Sequence, residues 1–105
     1  MKTVSEQMEL ARKAQAIVND YTQEQIDEIC LAIGWEVYEE ENIAKLAKMA
    51  VEETGYGNVQ SKIIKHKRKV GGVLHDIKGA KSVGLIERNE ETGISKYAKP
   101  VGVVC

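Results

Sequence analysis

Two cysteines and two histidines are the chain's candidates for nucleophile, general base and metal ligand. A thiol becomes a strong nucleophile only where a neighbouring base or positive field favours the thiolate, so each cysteine is weighed by its surroundings. Cys30 falls among Ile26, Ile29 and Ile33 at helical spacing and reads as a small buried hydrophobe. Cys105 follows the apolar run Val101–Val104, and strand ends carry functional groups in many α/β proteins, but neither histidine is near it in sequence and no motif surrounds it. His66 sits in the middle of an apolar stripe and is expected as a partly buried imidazole bonded to a neighbour, while His75 lies on another side of the same helix. No zinc-type spacing, catalytic triad or acid/base pair emerges, and both cysteines read as free thiols.

Phosphate chemistry has two weak footholds. Lys62, Lys65, Arg68 and Lys69 share the side of a helix away from its apolar stripe, with Lys67 beside them, and no aromatic is interleaved for base stacking. A solvated face is the simplest reading. Gly55, Tyr56 and Gly57 make a turn rather than a phosphate loop, because no strand precedes them and no Lys with Ser or Thr follows in register. Gly71 and Gly72 weaken a helix and are expected where another backbone approaches; Glu39, Glu40 and Glu41 read as a solvated helix end.

The elements that must position these groups follow from periodicity. From Ser5 to about Asn19, Leu10, Ala14, Ile17 and Tyr21 define one helical face, with Ala11 and Val18 beside it. Thr22 and Gln25 form a capping box, which starts a second helix, and Tyr21 can staple onto Ile26. That helix is apolar on two sides, Ile26, Ile29, Cys30, Ile33 and Val37 on one, Leu31, Trp35 and Tyr38 on the other. Ile43, Leu46, Ala47 and Ala50 mark a third helix closed by Gly55 as a left-handed cap. Val59, Ile63, Val70, Val73, Leu74 and Ile77, with His66, mark a fourth that ends at Gly79. The period then changes: Ser82 to Arg88 and Ile94 to Ala98 read as a hairpin around residues 89–93. Val101–Cys105 reads as a strand covered on both faces, as in a parallel sheet. One hairpin cannot flank such a strand, so the expectation is the opening part of a larger α/β unit, or a chain that needs a partner to complete its sheet.

Composition bounds the rest. A length of 105 residues allows one domain, and 15 basic against 16 acidic side chains give no global attraction to nucleic acid or anionic membrane. The balance is uneven along the chain, acidic through residue 57 and basic between 58 and 81, where seven cations face one acid. The longest stretch free of Asp, Glu, Lys and Arg is the eight residues Thr54 to Ser61, too short for a membrane span or a secretory core, so a cytoplasmic location is expected.

Three segments in this order, AKLAKMAVEETGYG (44–57), KIIKHK (62–67) and AKPVGVV (98–104), resemble the amino-terminal region of the aldehyde dehydrogenase superfamily, above all its CoA-acylating branch. The resemblance implies an α/β fold in one partial domain, 1–105: helices (1–79) on the cofactor-binding domain, an oligomerisation-type hairpin (82–99), and the first strand (101–105) of an incomplete Rossmann-like sheet. It implies a parent enzyme that converts an aldehyde to acyl-CoA with NAD or NADP through a cysteine thioester. The nucleophile and cofactor-binding segments would lie beyond Cys105, so no catalytic, cofactor or metal residue carries over and the chain by itself is expected to be inactive. Val83, Leu85, Ile94 and Tyr97 are expected to face another part of the protein or another subunit, giving a homo-oligomer. Aldehyde substrate and CoA are the implied partners, without nucleic acid or membrane; association with a microcompartment is left open. The alternative is a free-standing helical interaction module without enzymatic activity.

Overall fold

A computed structural model describes residues 2–104. Four helices precede two strands: α1 (Val4–Val18), α2 (Gln23–Tyr38), α3 (Glu40–Thr54), α4 (Val59–Ile77), β1 (Gly84–Asn89) and β2 (Ile94–Ala98). They form two compact units, one from the two ends of the chain, up to Asp27 and from Lys81 onward, the other from Glu28–Ala80. The division falls inside α2. A continuous helix carries no Pro or Gly signal at such a point, which is why composition shows no boundary there.

Side-chain caps start α1, α2 and α4, whereas α3 begins after Glu39 without a side-chain cap bond. Thr3 Oγ1 accepts the Glu6 N–H at 3.2 Å while the Glu6 carboxylate accepts the Thr3 N–H at 2.7 Å. This capping box starts α1, and the Thr3 backbone bond, followed by its hydroxyl, holds the Glu6 carboxyl below its usual range. Thr22 and Gln25 repeat the exchange at α2, 3.3 Å and 2.9 Å. Glu40 and Glu41 lie in the first turn of α3, where the helix dipole favours negative charge. Gly55 ends that helix at φ 67°, its N–H bonding the Val51 carbonyl at 2.9 Å. Asn58 caps α4 by accepting the Ser61 N–H at 2.8 Å.

In the Glu28–Ala80 unit α3 packs on α4. Ile43 and Ala47, one turn apart on α3, are the buried hydrophobic residues, and Ile63, His66, Val70 and Leu74 supply a half-buried side of α4. Gly34 of α2 is buried because Leu74 lies against it. The expected backbone approach at Gly71 and Gly72 takes a different form. The Tyr38 ring covers Gly71, a side chain rather than a backbone, and Gly72 is open.

In the unit built from the chain ends, the half-buried side of α1 is Met8, Ala11, Gln15 and Val18. The expected stripe of Leu10, Ala14 and Ile17 instead faces outward, with Ile17 63% exposed. A small residue, Ala11, replaces Leu10 on the packed side. The hairpin is antiparallel, Gly84 opposite Ala98, Leu85 opposite Tyr97 and Asn89 opposite Ile94, with a bulge between Leu85 and Glu87. Its turn is held by Asn89 Oδ1, which accepts from the N–H groups of Glu91 (3.0 Å) and Thr92 (2.9 Å), and by Gly93 at φ 68°. Residues 101–104 form no strand. Gly102 has φ 95°, and among the described residues the sheet has two strands, so no ladder reaches Val101–Val104. Cys105 lies outside the described residues.

Candidate functional site

A concavity of about 840 Å³ belongs to the unit of the chain ends. Its walls are the end of α1 (Gln15, Val18), Ile26 of α2, the segment entering β1 (Ser82, Val83) and the segment leaving β2 (Tyr97, Pro100, Val101). Gln23 fixes the geometry: its Oε1 accepts the N–H groups of Ser82 (2.8 Å) and Val83 (3.1 Å), and its Nε2 donates to Ser82 Oγ (2.9 Å). One glutamine thereby satisfies two backbone donors that no ladder reaches. Sequence reasoning missed it, since a Gln in a first helical turn carries no pattern.

Val83 and Tyr97 line this cleft, and Leu85 stands opposite Tyr97 on the hairpin. Side chains alternate along β2, which puts Ile94 on the other face, with Lys96 and the Glu87 it bonds at 2.7 Å. The four residues singled out for an interface therefore divide between two faces. Leu85, Ile94 and Tyr97 are exposed and Val83 is half-buried.

The chemical candidates are dispersed. Cys30 is exposed, contrary to its expected burial, because α2 turns Gly34, Val37 and Tyr38 inward and leaves Ile29, Cys30 and Ile33 outward. His66 is half-buried as expected, but its buried Nε2 has no hydrogen-bond partner among the described residues, so the expected bond to a neighbour is not made. His75 is exposed near the end of α4. Lys67 bonds Glu40 at 2.8 Å, which holds the lysine pKa above and the carboxyl pKa below their usual ranges. No cluster of His, Cys, Asp or Glu among the described residues could hold a metal, and none of their helices is long and apolar enough to cross a membrane. The glycine turn 55–57 joins helix to helix, so it does not make the strand-to-helix cradle on which a nucleotide pyrophosphate rests.

What remains is apolar surface. Twenty large hydrophobic side chains are exposed among the described residues, against two buried hydrophobic ones, Ile43 and Ala47. The chain, with its four helices, hairpin and Pro-Val-Gly segment, matches the amino-terminal part of acylating aldehyde dehydrogenases. Over all 105 residues the chain is 99% identical to the sulfoacetaldehyde dehydrogenase (acylating) of Bilophila wadsworthia (strain 3_1_6), and it spans 23% of that protein's length. It is 39% identical over 102 residues to the succinate-semialdehyde dehydrogenase (acetylating) of Clostridium kluyveri, 97% of this chain and 22% of that one. Among solved structures, an acetylating aldehyde dehydrogenase from Geobacillus thermoglucosidasius aligns with a TM-score of 0.72 at 42% identity, covering 80% of this chain and 18% of that one. No protein-family model matches the chain.

Proposed function

We propose that the chain is the amino-terminal scaffold of a CoA-acylating aldehyde dehydrogenase whose substrate is sulfoacetaldehyde. The observation that carries this reading is the 99% identity along the whole chain to an acylating sulfoacetaldehyde dehydrogenase. A 40%-identical protein of Cupriavidus necator with the same activity in its name supports the substrate assignment. In the whole enzyme, residues outside this chain supply a cysteine thiolate that adds to the aldehyde, with NAD or NADP taking the hydride and CoA the acyl group. The described residues form no cradle for either cofactor, so no step of that chemistry is assigned to them.

The role of these residues is to pack and to assemble. The cleft bounded by Val83 and Tyr97 and the outward stripes of α1 and α2 receive the remaining polypeptide, which gives the exposed hydrophobic side chains their cover. The Ile94 face of the hairpin meets a second subunit, and the enzyme works in the cytoplasm. The test is to assay acyl-CoA formation from sulfoacetaldehyde, CoA and NAD or NADP with the 105 residues and with the full-length Bilophila enzyme. Turnover by the full-length enzyme and none by the chain is expected. Turnover by the chain, or none by the long protein, overturns the reading.

A further inference from the structure

The face of α4 that carries Lys65, Arg68 and Lys69 is unlike the surface of an ordinary solvated helix. Such helices place acids three or four residues from their bases. Here those positions hold Ser61, Lys62, Ile64, His66, Gly71, Gly72 and Val73, besides the three cations themselves, and the one acid between residues 58 and 81 is Asp76. The like charges therefore repel without local relief. Among the described residues none of the three makes a hydrogen bond or ion pair, whereas Lys67, on the adjoining side, is tied to Glu40 at 2.8 Å. The three cations also enclose a shallow depression of about 440 Å³ together with Ser61 and Ile64, and Ile64 is 45% exposed. Charge and a hydrocarbon floor thus occur in one concave place.

We propose that this depression docks an acidic polypeptide segment of a partner protein, with carboxylates on the three cations and one aliphatic side chain on Ile64. Charge complementarity selects an anionic occupant. The concave rim with an aliphatic floor and no aromatic platform favours a peptide over a nucleic acid, whose bases would need stacking surfaces. The surface belongs to the Glu28–Ala80 unit, and the proposal does not depend on the enzymatic reading.

The experiment titrates the chain with a labelled acidic peptide of glutamates and leucines, with inorganic pyrophosphate and single-stranded DNA as competitors. The peptide is expected to bind and to lose affinity between about 0.05 M and about 0.2 M salt, as screening shortens. Replacing Lys65, Arg68 and Lys69 together by Gln should weaken binding about tenfold or more, while Lys45→Gln, an exposed cation of α3, should not. Ile64→Gln separates docking from diffuse attraction, because it leaves every charge in place and is expected to weaken the peptide severalfold. Circular dichroism confirms that the variants keep their helices. No binding at low salt, equal binding by the triple variant, indifference to Ile64→Gln, or stronger binding of pyrophosphate or DNA overturns the proposal.

Discussion

A Cβ placed on Gly34 of α2 would lie 2.5 Å from Cδ2 and 2.8 Å from Cδ1 of Leu74 on α4. Glycine is required there by a neighbour and not by its own backbone angles, since Gly34 is not among the glycines of positive φ. Gly34→Ala gains up to about 1 kcal/mol of helix propensity but must displace Leu74, an overpacking cost of about 1–3 kcal/mol. Gly72 sits in α4 with nothing within 4 Å of an added Cβ, so Gly72→Ala gains about 0.5–1 kcal/mol with no opposing term. Denaturant titration should show the first variant less stable than the second, and the loss caused by Gly34→Ala should shrink when it is measured in a Leu74→Ala background. A Gly34→Ala protein as stable as Gly72→Ala would mean that Leu74 rotates away freely.

The Lys67–Glu40 bond gives a pH and salt signature of definite sign. Glu40 is held below the usual carboxylate range, so its contribution is present above that range and disappears as pH falls through the lowered value. Lys67 is held above the usual lysine range, so its contribution is present below that range and disappears as pH rises through the raised value. Glu40→Gln should therefore lower the melting temperature slightly at neutral pH and not at all in strong acid. Both groups meet solvent, so the difference should also vanish in about 1 M salt, where the Debye length is about 3 Å. A gap between the two proteins that persists in acid and salt would assign the effect to helix propensity instead.

Caps give a third set of expectations. Asn58→Ala removes the acceptor for the Ser61 N–H and should cost about 1 kcal/mol. Gly55→Ala forces a side chain into φ 67° and should cost about 1–2 kcal/mol, although a Cβ there touches nothing. Amide exchange would rise in the first turn of α4 for one variant and in the last turn of α3 for the other. Equal exchange across both helices in either variant would show that tertiary packing, not the cap, sets the helix end.

These positions also show what a single sequence can carry. Thr22 with Gln25, Gly55 and the hairpin around 89–93 were legible because turn and cap chemistry is local, a matter of residue type within four positions. The four helices and the α3 core followed from the 3.6-residue period. Which side of α1 and α2 turns inward did not, because Ala11 and Val18 widen the apolar face of α1, α2 is apolar on two sides, and the choice depends on neighbours far along the chain. The Gln23 bonds to Ser82 and Val83 span 59 and 60 residues and leave no local trace. The opposite facing of Ile94 and Tyr97 follows from alternation along β2 alone, whereas the pairing of Leu85 with Tyr97 depends on the register and bulge of the hairpin.

Trp35 tests the proposed cover of the apolar surface. Its side chain is 62% exposed, its ring centroid is 6.4 Å from that of Tyr38, and Leu31, one turn away on α2, is also 62% exposed. The indole emission of the chain in isolation should therefore be that of a tryptophan in water. If the chain packs as the proposed amino-terminal scaffold, combining it with a Bilophila sulfoacetaldehyde dehydrogenase fragment that lacks the matching residues should bury this side of α2 and shift the emission to the blue. Trp35→Ala should change the stability of the isolated chain by no more than about 0.5 kcal/mol, the range of exposed positions. It should weaken association with the larger fragment by about 2 kcal/mol, the order expected for a large aromatic at the centre of an interface. An emission already blue in the isolated chain, or association unaffected by the substitution, would place the docking surface elsewhere than on α2.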